Sequence, residues 1–179
     1  MTVGADHDGQ YISVLKEELV PAMGCTEPIS VAYASALAQS LLGEIPEKVE
    51  ICVSANIIKN VKSVVVPNTG GLRGLPAAAA AGILAGDASR ELEVIAAISE
   101  EDRACISGYL SEADFTITRS DSGHIFDICI TLRKGEHSAC CRIVENHTNV
   151  VYLAKDGITE INISCDDASG HPCSRIAAS

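Results

Sequence analysis

The sequence predicts an α+β fold, with helices packed on a mostly antiparallel sheet. Two observations carry this. Apolar residues recur at helical spacing through most of the chain up to Leu110, and from Phe115 the period switches to two. The links between the later segments are also short. Arg133-Lys134-Gly135-Glu136 suits a hairpin, and hairpins make antiparallel neighbours. Helical and strand segments are thus segregated along the chain, the pattern of an α+β layer fold.

The elements follow in order. Residues 11–20 carry apolar positions 12, 15 and 19, and Pro21 ends that helix. A second helix runs from about Thr26 to Leu42. It is so apolar that it must be buried on most sides, and Gly43 is its C-cap. Residues 48–54 alternate as a strand, which puts Cys52 on the side of Glu50 and Ser54. A loop or short helix follows, then a strand over 62–67. Asn68-Thr69-Gly70-Gly71-Leu72-Arg73-Gly74 is a glycine-rich loop that feeds the alanine-rich helix beginning near Ala77. Helices are expected over 89–98 and 99–111, the latter opening with Ser99-Glu100-Glu101-Asp102, a capping pattern. Strands are expected over 115–118, 125–132, 138–145 and 150–154. The domain therefore spans 11–157, between a flexible N-terminus, 1–10, and a poorly patterned tail, 158–179.

Composition narrows the function. The chain has 179 residues, 47% of them hydrophobic, enough for one domain with a real core. A net charge of −11 argues against a nucleic-acid partner, which needs a basic face. No apolar run approaches the roughly 20 residues of a membrane span. Eight cysteines stand at 25, 52, 105, 129, 140, 141, 165 and 173, without Cys-x-x-Cys spacing or an apolar signal core before them. A cytoplasmic location is expected, with most of these cysteines inert in the core. Cys165, His171 and Cys173 make a poor zinc set, and no metal ligands are assigned.

Cys25 stands at the start of the second helix, where unpaired N–H groups and the helix dipole favour thiolate over thiol. Thr26 is the expected cap, and Pro28 suits the first turn. Glu27 would oppose a thiolate beside it. Spacing alone leaves both readings open, a reactive thiol or a small packed side chain. Three other polar groups stand out: Lys59 with Asn56 and Asn60, the Asn68-Thr69-Gly70 turn, and Glu145-Asn146-His147-Thr148-Asn149. Turn chemistry explains much of the last two without a ligand. The glycine-rich loop lacks the Gly-Lys-Ser/Thr ending of a P-loop, and a small carboxylate suits it as well as a phosphate.

Several segments together resemble the L-cysteine desulfidase family, which is related to the α-type part of iron–sulfur L-serine dehydratases. They are Val20-Pro21-Ala22-Met23-Gly24-Cys25-Thr26-Glu27-Pro28, residues 53–60, Val66-Pro67-Asn68-Thr69-Gly70, residues 74–82, and His147-Thr148-Asn149-Val150-Val151. The resemblance implies β-elimination of L-cysteine to sulfide and aminoacrylate, which hydrolyses to pyruvate and ammonia. It also implies an oxygen-sensitive [4Fe-4S] cluster, no pyridoxal phosphate, and Cys25 as the base that takes the α-proton. Lys59, Asn60, Asn68, Thr69, Gly70, His147 and Asn149 are the expected substrate-binding set. The members of that family are much longer than this chain, and their cluster cysteines lie in the later part. The chain is thus expected to be the base-bearing N-terminal part, inactive alone, acting with a complementary C-terminal half or as a homo-oligomer. A serine dehydratase part, and a non-catalytic domain binding a small carboxylate or amino acid, are the alternatives.

Overall fold

The structure is a computed structural model in which residues 24–164 are described. The helix expected over 11–20, and Cys165, His171 and Cys173, lie outside those residues. The described elements are α1 (Thr26–Leu42), β1 (Lys48–Val53), α2 (Ala55–Val61), α3 (Gly74–Ala85), a 3-10 turn (Ala88–Glu93), α4 (Glu100–Glu112), β2 (Asp114–Arg119), β3 (Asp127–Lys134), β4 (His137–Val144), β5 (Val150–Lys155) and β6 (Ile158–Asn162). The α+β expectation holds: helices pack on one six-stranded sheet, of order β2-β1-β3-β4-β5-β6.

The sheet is antiparallel except where β2 pairs parallel with β1, Lys48 opposite Asp114 and Val53 opposite Arg119. Parallel neighbours need a long crossover. Here α2, α3 and α4 all lie between β1 and β2 in the chain. Period-two patterning cannot show this, because it reports faces and not direction. β6 falls in the segment expected to be unpatterned tail. It pairs with β5 through Tyr152–Asn162 and Leu153–Ile161, so the sheet extends past residue 157. The strand expected over 62–67 reduces to a single bridge, Val65 with Arg73, because the chain there turns tightly around the glycine-rich loop. The helix expected over 89–98 is a short 3-10 turn kinked at Glu91, whose φ is 49°.

α1 explains its own composition. It packs on β3, β4 and β5 on one side and on α3 on the other, so Ile29, Val31, Ala32, Ala34 and Ala38 are fully buried. The buried hydroxyls of Ser30 and Ser35 donate back to the carbonyls of Thr26 and Val31. α3 approaches α1 closely enough that Gly82 lies on the Ala32 backbone. The core is aliphatic, with Ile51, Ile57, Ile95, Ile106, Ile128, Ile130 and Ile143 fully buried. Cys129, Cys140 and Cys141 are buried as expected, whereas Cys105 is exposed on α4. No helix among the described residues is long and apolar enough to cross a membrane.

Candidate functional site

Cys25 is itself the N-cap of α1, in extended conformation, and Thr26 is the first helical residue. The expected Thr26 cap is not formed: no side chain caps this helix. The exposed Cys25 thiol donates to Glu27 Oε2 at 3.0 Å. Partial burial, and then the Glu27 carboxylate, push the thiol pKa upward. The expected thiolate-favouring environment is thus corrected, because partial burial and, after it, a carboxylate at hydrogen-bond distance both favour the neutral thiol. Glu27 responds in the opposite sense. The thiol hydrogen bond holds it below the usual carboxylate range, helped by Asn60 and by the nearby charge of His147.

Glu27 is the hub that reading the sequence undervalued. Its Oε1 accepts from Asn60 Nδ2 at 3.4 Å, across from α2. His147 comes from the turn after β4. There its ring packs edge-on against Phe126, with centroids 4.8 Å apart. Cys25 and Asn60, from two segments of the chain, thus both donate to one carboxylate, and His147 acts on it through its charge. The signal was present, an acid two residues after a cysteine at a helix start, but its partners are 33 and 120 positions away.

The glycine-rich loop adjoins this group through Gly24. Its φ is 151°, and a Cβ there would lie 3.1 Å from Pro67 Cγ, so only glycine lets the Cys25 turn pass this close to the loop. The loop's side chains are spent on the fold. Asn68, at φ 62°, donates from Nδ2 to the Ile95 carbonyl at 3.0 Å. The buried Thr69 hydroxyl donates to the Val66 carbonyl at 2.8 Å. Asn149 clamps its own turn, donating to the Val144 carbonyl at 2.9 Å. Lys59 is exposed on α2 and makes no hydrogen bond or ion pair with the described residues. Of the expected set, Cys25 and Asn60 converge on Glu27, and His147 acts on it through its charge. Gly70 lies on the adjoining loop, Asn68, Thr69 and Asn149 hold turns, and Lys59 stands apart. Arg103, from α4, was not foreseen: its Nε donates to the Asn68 carbonyl at 2.8 Å.

Among the described residues, no group of three or more His, Cys, Asp or Glu side chains could hold a metal ion. They do not fit an iron–sulfur cluster, which needs several thiolates in one place, and no step here runs through one.

Fold and site together define an α+β protein with an exposed thiol–carboxylate pair at the start of the longest of its described helices. The chain is similar to UPF0597 proteins. It is 52% identical over 147 residues to one from Desulfitobacterium hafniense (strain Y51), a match covering 82% of this chain and 34% of that protein. It is 41% identical over 168 residues to one from Lachnoclostridium phytofermentans, covering 89% of this chain and 39% of that protein. A third, from Treponema denticola, is 38% identical over 172 residues, covering 95% of this chain and 40% of that protein. The chain thus spans between a third and two fifths of these relatives' length. No protein-family model matches the chain, and no solved structure does. These relatives correct the resemblance to the L-cysteine desulfidase family: all three carry the UPF0597 name and neither a desulfidase nor a dehydratase name. The physical reason is visible in the motifs. Gly24, Asn68 and Thr69 serve close approach, loop anchoring and turn geometry, structural roles that do not by themselves mark a desulfidase.

Proposed function

We propose that this chain forms the proton-abstracting wall of a cytoplasmic lyase site. The site would act on a small amino acid, with L-cysteine as substrate and sulfide as leaving group. The observation that carries this reading is the Cys25 thiol held 3.0 Å from the Glu27 carboxylate. Glu27 stays ionised, and the thiol stays protonated until it passes its proton on. A thiol with a raised pKa becomes a stronger base once ionised, which suits removal of a weakly acidic α-proton. The thiol gives up its own proton to solvent before it takes the α-proton, and Asn60, donating to Glu27, keeps that carboxylate ionised beside it. Loss of the β-substituent completes the elimination and leaves aminoacrylate, which hydrolyses to pyruvate and ammonia.

The test is sulfide release from L-cysteine under anaerobic conditions. The chain is assayed alone and mixed with a polypeptide covering the rest of the D. hafniense relative's length. Sulfide is expected from the mixture. Cys25→Ala should lower the rate by roughly 10²- to 10⁴-fold, the usual worth of a general base, with circular dichroism unchanged. Full activity in Cys25→Ala would remove the thiol from the mechanism. Amino-acid binding without turnover in every mixture would favour the non-catalytic alternative. Faster elimination from L-serine than from L-cysteine would reassign the leaving group.

A further inference from the structure

We infer that Arg103 receives the carboxylate of the amino acid bound at this site. The inference rests on the function proposed above and assigns its acid-binding end. A zwitterionic amino acid needs an anion near its ammonium group and a cation near its carboxylate. Glu27 supplies the anion and for the same reason repels a second carboxylate. The carboxylate must then lie away from Glu27, toward the loop that Gly24 touches through Pro67.

The side chains of that loop are already committed, Asn68 to the Ile95 carbonyl and Thr69 to the Val66 carbonyl. The cation that reaches the loop is Arg103. Its Nε is fixed on the Asn68 carbonyl, and its Cδ lies 3.5 Å from where a Cβ on Gly70 would stand. The half-buried arginine stem therefore packs on the loop at Gly70. The two terminal nitrogens, Nη1 and Nη2, make no hydrogen bond or ion pair with any described residue. They stay so although Glu100 and Glu101 stand on the same helix turn and the chain carries a net charge of −11. A guanidinium anchored by Nε and open at both Nη atoms presents the planar fork that a carboxylate fits with two parallel bonds.

The experiment follows alkylation of Cys25 by iodoacetamide, quantified by peptide mass spectrometry, with the exposed Cys105 as internal control. The probes are L-serine, which has no thiol, and L-serinamide, which lacks the carboxylate. L-Serine should slow Cys25 alkylation without affecting Cys105, and L-serinamide should not. Arg103→Ala should weaken the protection by L-serine roughly 10- to 100-fold, the scale of lost hydrogen bonds to a charged group. Arg103→Lys, which keeps the charge but not the fork, should fall between. Equal protection in wild type and both variants would overturn the role of Arg103 while leaving the amino-acid site standing. Protection of wild type by L-serinamide as strong as by L-serine would overturn it without any variant. No protection of wild type by L-serine would overturn the amino-acid site itself, and the assignment of Arg103 with it.

Discussion

At the scale of single residues, Glu27 decides the character of Cys25. Removing its charge while keeping its shape tests this. In Glu27→Gln the carboxylate's contribution disappears and only partial burial still raises the thiol pKa. The pH midpoint of Cys25 alkylation should therefore move down relative to wild type. At neutral pH the variant thiol should react faster, because the thiolate is the nucleophile. An unchanged midpoint would mean that the hydrogen bond at 3.0 Å is not kept in solution. If Cys25 is the base of an elimination, the same variant should turn over more slowly despite its more reactive thiol. Cys25 was legible in the sequence because a helix start is a local feature. Asn60 and His147 were legible as polar residues but not as partners of Glu27, since that depends on how α2 and the β4–β5 turn fold back.

Among the elements, the α1–α3 contact is the tightest. A Cβ on Gly82 would stand 2.1 Å from the Ala32 carbonyl oxygen and 2.8 Å from Ala32 Cα. Both are backbone atoms, so no side chain can swing aside. Gly82→Ala gains helix propensity but must push the two helices apart. Overpacking of this kind costs about 1–3 kcal/mol, and the melting temperature should fall by about 2–4 °C for each kcal/mol in a chain of this size. A melting temperature equal to or above wild type in thermal unfolding would show that the helices do not pack this closely. The alanine run over 77–81 announced a tightly packing helix, but its partner could not be read: small residues advertise close approach, not what approaches.

Across the whole molecule, one buried ion pair joins the middle of the sheet to the segment that supports the site. Arg142 Nε donates to Asp127 Oδ1 at 2.9 Å and Nη2 to Oδ2 at 3.1 Å, with both side chains almost fully buried. The hydroxyls of Ser120 and Ser122 also donate to Asp127 Oδ2. Asp127 thus ties the link between β2 and β3 to β4, beside Phe126, on which the His147 ring rests. Asp127→Ala removes the carboxylate that pairs with the buried Arg142 guanidinium and accepts from Ser120 and Ser122, and should cost roughly 3–5 kcal/mol, measured by urea unfolding. At the ordinary urea slope this lowers the midpoint by more than about 1 M. A loss below about 1 kcal/mol would mean that water reaches Arg142.

The sequence by itself determined the fold class, most element positions, the aliphatic core and the candidacy of Cys25. Each rests on hydrophobic period, capping residues or turn chemistry, which act within a few residues. Only the tertiary structure decided the parallel pairing of β2 with β1, the added strand β6, and the meeting of Asn60 with the Cys25–Glu27 pair. It also turned Asn68, Thr69 and Asn149 from expected ligand groups into turn clamps and brought Arg103 to the loop. The pairing of β2 with β1, of Asn60 with Glu27 and of Arg103 with Asn68 joins residues tens of positions apart, and no local pattern in the chain encodes which distant groups its packing will place in contact.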